Sequence, residues 1–354
     1  MSLLWIDGFD VYGPDNASIM VALEEAGYGV SAGFGGLPNS SAFANTRTGI
    51  GFSVSPVCNV QGGYISRNFQ TAAGIVTGFA VQLQTSEFTT ICTLGYNNYL
   101  GGGARQLILY ANGANGLTMQ TGDGLGVYVS KPNVLFTGVW QYVEVKYAPG
   151  STTSYLEVRV DGVTVLRVTN QNLVSAGQAG LVNYMRLNGD GNQKLYIDDW
   201  YLCDTNGTSF NDFLGDCVVH ALLPKSDAGM NQFAQVGGNG AGHFTSVNEL
   251  ATDGDVSYLS SNTAGQTELF TVPTLPSDIV DVLAVAVNIT ARKQAPGLGT
   301  FVPVLEAGGI EQDGAPIATS LNYVTQQALF PLAPGGGNWT LSLAQNAQFG
   351  VKII

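Results

Sequence analysis

Two short strings, LLWIDGFDVY at residues 3–12 and KLYIDDWYLCD at 194–204, each set an apolar strand beside an Asp-aromatic pair. They read as the first and last strands of one β-sandwich, pairing with each other where the chain enters and leaves that domain. Between them the chain alternates with period two, as in TGFAVQLQT (77–85), RQLILYA (105–111), GLGVYVS (124–130) and VWQYVEVKYA (139–148). That alternation is the mark of half-buried strands.

The clearest unit spans 140–170, where two alternating strands flank a polar loop at 149–154 and a second hairpin turns at Asp161-Gly162. Asp-Gly between alternating segments is a strong hairpin signal. Strand alternation places Val143, Val145 and Tyr147 on one side and Glu144 and Lys146 on the other. The expectation is one core face and one wet face, with Glu144 and Glu157 as solvated strand charges. A single helix is expected over 15–27, capped by Asp15 or Asn16 and followed by Gly27. The Gly-, Ser- and Asn-rich stretch 29–49 reads as a long loop along the sandwich edge.

Of 354 residues only 11% are charged, against the usual quarter, while 45% are hydrophobic and 47 are Gly. That composition suits a turn-rich β-protein with room for two cores. The longest apolar run, 279–289, is interrupted by Asp281 and too short to span a bilayer, so membrane insertion is not expected. The formal net charge is −13 without any basic stripe, so nucleic acid is not expected as a direct partner. The cysteines at 58, 92, 203 and 217 read first as reduced core residues, with a Cys203–Cys217 bridge as the second reading. MSLLWIDG lacks a basic n-region and a long apolar stretch, so synthesis in a cytoplasm without a secretory signal is expected.

Turn residues in CDTNGTS set the expected boundary near 204–209, giving domains 1–204 and 205–354. Residues 217–223 alternate and read as a strand leaving the sandwich, 225–244 as loop. Strands are expected at 256–260, 266–272, 279–292, 301–308, 317–330 and 339–353, with seven prolines between 273 and 334 confined to edges and turns. The fold class is therefore all-β, a larger N-terminal sandwich followed by a smaller antiparallel β-domain.

The opening DGFD (7–10), the Trp140 strand followed by LEVRVDG (156–162), and the closing YIDD (196–199) resemble the concanavalin A-like, or laminin-G-like, jelly rolls over about residues 1–204. In the second half, SFNDFLGDCVVHALLP (209–224), DGDVSYLSS (253–261) and WTLSLAQNAQFGVKII (339–354) resemble segments of tailed-bacteriophage virion proteins, in which a jelly roll precedes a smaller β-domain. The resemblance implies a non-enzymatic structural component of the virion, exposed on the particle as a capsid-decoration, tail or fibre-associated protein. Other virion proteins are then the partners, and homo-oligomers, trimers among them, are expected at symmetric positions.

Jelly-roll glucanases cleave sugars with two carboxylates on one strand reaching into the same groove. No such pair occurs here, and the reading is not an enzyme. Asp7, Asp10, Asp198 and Asp199 would be brought together by the strand pairing. Such a cluster is costly unless paired, hydrogen-bonded or metal-bound. Either Ca²⁺ takes oxygens from it, or Asp7 and Asp198 accept backbone N–H groups with the others in water. No other cofactor is implied. His220 and His243 lack a nucleophile or ligand partner at useful spacing and read as structural. Tyr96, Asn97, Asn98 and Tyr99 lie in a Gly-rich loop whose amide and aromatic groups suit a glycan or local packing. The alternative function is therefore a receptor-binding module for host-surface polysaccharide.

Overall fold

A computed structural model describes residues 3–12, 16–30, 47, 64–83, 88–97, 104–188, 195–249, 252–297 and 299–354. The chain divides into two compact units, Met1–Glu24 with Tyr28–His220, and Glu25–Gly27 with Ala221–Ile354. Among the described residues no helix is long and apolar enough to cross a membrane.

The first unit is built from two antiparallel sheets. One runs in the order β1 (Leu3–Asp7), β13 (Leu195–Asp204), β4 (Ile75–Leu83), β9 (Trp140–Ala148), β10 (Tyr155–Val160), β11 (Val163–Thr169). The other runs β2 (Tyr28–Val30), β3 (Tyr64–Ala72), β12 (Val182–Asn188), β5 (Thr89–Tyr96), β6 (Ala104–Asn112), β7 (Gly116–Thr121), β8 (Val127–Val129). The opening and closing strands do pair, with Leu3 opposite Cys203 and Asp7 opposite Trp200. Their pairing closes the six-stranded sheet at one edge, where the chain enters and leaves. A helix, α1 (Asn16–Glu25), follows the first strand, one residue shorter at its start than expected; Asp15 lies outside the described residues.

The core lies between the sheets. Tyr28 on one sheet meets Trp200 on the other with ring centroids 6.0 Å apart, and Thr77 Oγ1 lies 3.5 Å from Met185 Sδ. Val143, Val145 and Tyr147 are fully buried on the inward side of β9, as alternation requires. The hairpin at Asp161-Gly162 takes left-handed φ angles of 49° and 76°, the geometry that matches strand twist in a two-residue turn.

The outer face of the six-stranded sheet is not wet. Every residue of β4 is buried, and Glu144 and Glu157 are 1% and 0% exposed. The expectation of solvated glutamates fails at Glu144 because the chain after β13 returns across this face, and at Glu157 because Tyr155, Arg159, Thr164 and Arg167 of its own hairpin donate to it. Leu214 donates its N–H to the Tyr201 hydroxyl at 3.2 Å, Gly215 donates to Glu144 at 2.9 Å, and Arg159 lies 3.9 Å from the centre of the Phe213 ring. Residues 217–223 are accordingly not a strand. The chain up to His220 forms an irregular strap tied down by side-chain acceptors, and the first compact unit includes it.

In the second unit one sheet runs β14 (Ser226–Asn231), β17 (Thr267–Thr271), β23 (Gln348–Ile353), β19 (Thr300–Ala307), β20 (Ile310–Asp313), with β21 (Ile317–Ala318) beside β19. Two further pairs join β15 (Ala234–Val236) to β16 (Tyr258–Ser260) and β18 (Val285–Ala291) to β22 (Val324–Phe330). Phe330, Trp339, Leu305 and Val287 centre its core. The segment expected as loop, 225–244, supplies β14 and β15. The strand expected over 339–353 instead begins with a short helix, α2 (Leu341–Gln345), whose N-cap Thr340 accepts the Leu343 N–H at 3.2 Å. Pro303 stands inside β19, which is flanked on both sides. It is tolerated at the gap between β21, which pairs Thr300 and Phe301, and β20, which pairs from Val304 onward.

Candidate functional site

Charge is divided unequally between the two sheets of the first unit. The strands of the six-stranded sheet carry Asp7, Glu144, Glu157, Asp198, Asp199 and Asp204, while those of the seven-stranded sheet carry no Asp or Glu and three arginines, Arg67, Arg105 and Arg186.

The acids of the first sheet all hold chain in place. Asp7 is buried; its Oδ1 accepts the Phe9 N–H at 2.7 Å and its Oδ2 the Tyr28 hydroxyl at 2.6 Å and that of Tyr12. Burial pushes its carboxyl above the usual range against the pull of those hydrogen bonds. Glu157 accepts from Arg159 Nε at 2.9 Å, Thr164 Oγ1 at 2.6 Å, Arg167 Nε at 2.9 Å and the Tyr155 hydroxyl. Burial alone would raise this carboxyl, but the four donors together hold it down at about 2. Asp204 accepts the Asn206 N–H at 2.8 Å.

Asp198 and Asp199 occupy an irregularity of β13, with Asp199 at a left-handed φ of 50°. Asp198 Oδ1 takes the Asp199 N–H at 2.9 Å; Asp199 takes the Val219 N–H at 2.8 Å and Arg47 Nη1 at 2.8 Å. Arg47 also reaches the Cys217 carbonyl at 3.0 Å and the Asp216 carboxylate, and lies 5.1 Å from the centre of the Tyr142 ring. Burial raises both aspartates, and the Asp199 charge adds to the rise at Asp198. Strand pairing thus brings the expected calcium residues to one end of the sheet, yet each carboxylate has partners of its own. Asp10 sits half-buried beyond β1. Among the described residues no group of three or more Asp, Glu, His or Cys side chains could hold a metal ion.

Cys92, Cys203 and Cys217 are free thiols, so Cys203 and Cys217 are not bridged; Cys58 lies outside the described residues. In the second unit His243 Nδ1 lies 2.8 Å from Glu268 Oε1, and Glu268 Oε2 accepts the Phe233 N–H at 3.0 Å, a structural role. His220, in the first unit, is half-buried.

Of the expected glycan loop, Tyr96 ends β5 half-buried, and Asn97 adopts φ 57° with its N–H donated to Asn183 Oδ1 at 2.8 Å. Asn98 and Tyr99 lie outside the described residues.

The outward face of the seven-stranded sheet remains. Ser66, Arg186, Thr93, Ile108, Gln120 and Val127 are successive register partners and form one row across it. Met185 points to the opposite sheet, so its neighbours Tyr184 and Arg186 point outward. Arg186 packs its guanidinium 4.0 Å from the centre of the Tyr64 ring. In the row to one side Arg105 is exposed opposite Gly95 and Tyr184. Toward the other end Tyr110 stacks on Phe88 with ring centroids 4.6 Å apart and an interplanar angle of 29°, leaving Phe88 56% exposed. Sequence reading passed over these residues. The signal was present as the absence of Asp and Glu from all seven strand segments, in a chain with 26 acids and 13 bases.

No family model matches the chain, and no curated protein matches it. Among solved structures, the chain is similar to alginate lyase Aly36B at 14% identity and TM-score 0.37, over 56% of this chain and 96% of that one. It is also similar to an endo-β-1,4-glucuronan lyase from the fungus Trichoderma reesei at 14% identity and TM-score 0.33, over 41% and 74%. A third is the carbohydrate-binding module CBM66 from Bacillus subtilis at 6% identity and TM-score 0.34, over 51% and 96%.

Proposed function

We propose that this chain is a non-enzymatic structural component of a tailed-phage virion, displayed on the particle as a capsid-decoration, tail or fibre-associated protein. The observation that carries the non-catalytic reading is the commitment of the sandwich's strand carboxylates to buried hydrogen bonds with strap, turn and neighbouring strand. Placement on a phage particle is supported by the sequence resemblance of 209–224, 253–261 and 339–354 and by a surface poor in charge. The partners are other virion proteins and further copies of the chain, trimers being the expected form. Mass spectrometry of purified particles is the test: the chain should be present in them, and its absence overturns the proposal.

A second reading is a receptor-binding module for host-surface polysaccharide. The exposed Phe88–Tyr110 stack on this sheet face favours it, because flat aromatic rings pack against sugar faces. This moves the binding surface from the loop at Tyr96, Asn97, Asn98 and Tyr99 to the sheet itself. On a glycan array the intact chain should bind, and Tyr110→Ala should lose binding while Tyr96→Ala keeps most of it. The reverse ranking would return the site to the loop.

A further inference from the structure

The receptor-binding reading leaves open what kind of polysaccharide is bound, and this inference rests on that reading. We infer that the outer face of the seven-stranded sheet takes a carboxylate-bearing polysaccharide, with Arg186 receiving the acid group.

Arg186 differs from most of the other arginines. Arg47, Arg159, Arg167 and Arg292 each pair with a carboxylate, and Arg67 is turned inward over the Trp5 and Tyr28 rings. Arg186 has no carboxylate partner among the described residues, and its Nε is buried without a hydrogen-bond partner there. Arg186 is half-buried overall, and a guanidinium N–H taken out of water without an acceptor is costly. A protein with two acids for every base could supply an anion readily, yet the strands around Arg186 contain none. Its register neighbours, Ser66 and Thr93, are buried hydroxyl residues, and the Tyr64 ring packs against the fork. A planar fork suits bidentate contact with a carboxylate.

The rest of the face fits a polymer. Tyr110 lies two strands and two residues from Arg186, on the order of 12 Å by strand geometry. Arg105 lies a comparable distance away on the other side. An acid group at Arg186 would therefore leave neighbouring sugars over the Tyr110–Phe88 stack, an arrangement for an extended chain rather than a single sugar.

The test uses the intact protein and four immobilised probes at physiological salt: polygalacturonate, the same polymer after carboxyl reduction, dextran, and dextran sulfate. Polygalacturonate should be retained, and its reduced form and dextran should not. Arg186→Ala should weaken polygalacturonate binding roughly tenfold to a hundredfold, and Arg186→Lys should recover only part, because an ammonium cannot make the paired contact. Thermal melts of both variants show that the fold persists; if the alanine variant unfolds, the lysine variant carries the comparison. Equal binding of the carboxyl-reduced polymer overturns the inference while leaving polysaccharide recognition intact. Retention of none of the four overturns both. Dextran sulfate binding as tight as polygalacturonate and indifferent to Arg186 marks plain ion exchange and also overturns it.

Discussion

Tyr201 donates its hydroxyl to Glu144 Oε1 over 2.6 Å, and the same oxygen accepts the Gly215 N–H at 2.9 Å. One buried carboxylate thereby joins two strands of the six-stranded sheet to the strap that covers it. Together with the Asp199–Val219 bond and Arg47, this fixes the strap along the sheet. Removing the acceptor leaves a phenol and an amide unsatisfied. Glu144→Ala should lower the unfolding free energy by about 3 kcal/mol and Tyr201→Phe by about 1 kcal/mol in urea titrations. Equal stability in Glu144→Ala would show that the strap is held otherwise.

Glu157 contributes stability that is lost in acid. Its carboxyl stands at about 2 in the folded chain against 4.5 for the free group. A depressed acid stabilises fully above its unfolded value and loses that contribution as pH falls from 4.5 toward 2. Glu157→Gln should therefore destabilise the protein at pH 7 by about 2–4 kcal/mol, with little difference from the parent near pH 2. Chemical unfolding at both pH values checks this.

Asp198 acts in the opposite direction. Burial and then the Asp199 charge raise it above the ordinary 3.8, so the folded chain holds a proton that the unfolded chain has released. Stability from this group is full below 3.8 and declines as pH rises toward the folded value. Thermal melts should drop across that window, and Asp198→Asn, which keeps an oxygen for the Asp199 N–H, should flatten the decline. An unchanged slope would contradict it.

Gly78 is a packing constraint on the same face. A Cβ there would stand 2.3 Å from Tyr201 Cε1 and 2.8 Å from Tyr142 Cε1. Both rings are fully buried and hydrogen-bonded, Tyr142 to the Asp199 carbonyl at 3.0 Å. Gly78→Ala should cost about 1–3 kcal/mol through overpacking, read from the same urea titrations.

Alternation along 139–148 and the Asp161-Gly162 turn made the strands and one hairpin legible, because side-chain direction and turn geometry are local properties. What covers a face is not local. Glu144 read as wet because nothing near it in sequence announces residues 212–219 crossing above, and Glu157 because alternation does not show that Tyr155, Arg159, Thr164 and Arg167 of its own hairpin converge on it. Alternation at 217–223 misled for the same reason: no strand lies beside these residues to pair with them. Arg47 lies 152 residues from Asp199, and no spacing rule links them. The strap's role at the site is thus a tertiary fact. By contrast Thr340 before LSLAQ carried a cap signal for α2 that strand patterning overrode. The acid-free composition of the seven-stranded sheet was also readable, but only once those strands were known to lie side by side.

Binding without cleavage is what the receptor-binding reading and the non-enzymatic reading together require. Light scattering of polygalacturonate incubated with the intact protein measures both at once. Association should raise the apparent mass of the complex, and the polymer recovered after removing the protein should keep its original mass. A recovered polymer of lower mass would mean that the sheet face supports a reaction, and the non-enzymatic reading would fall.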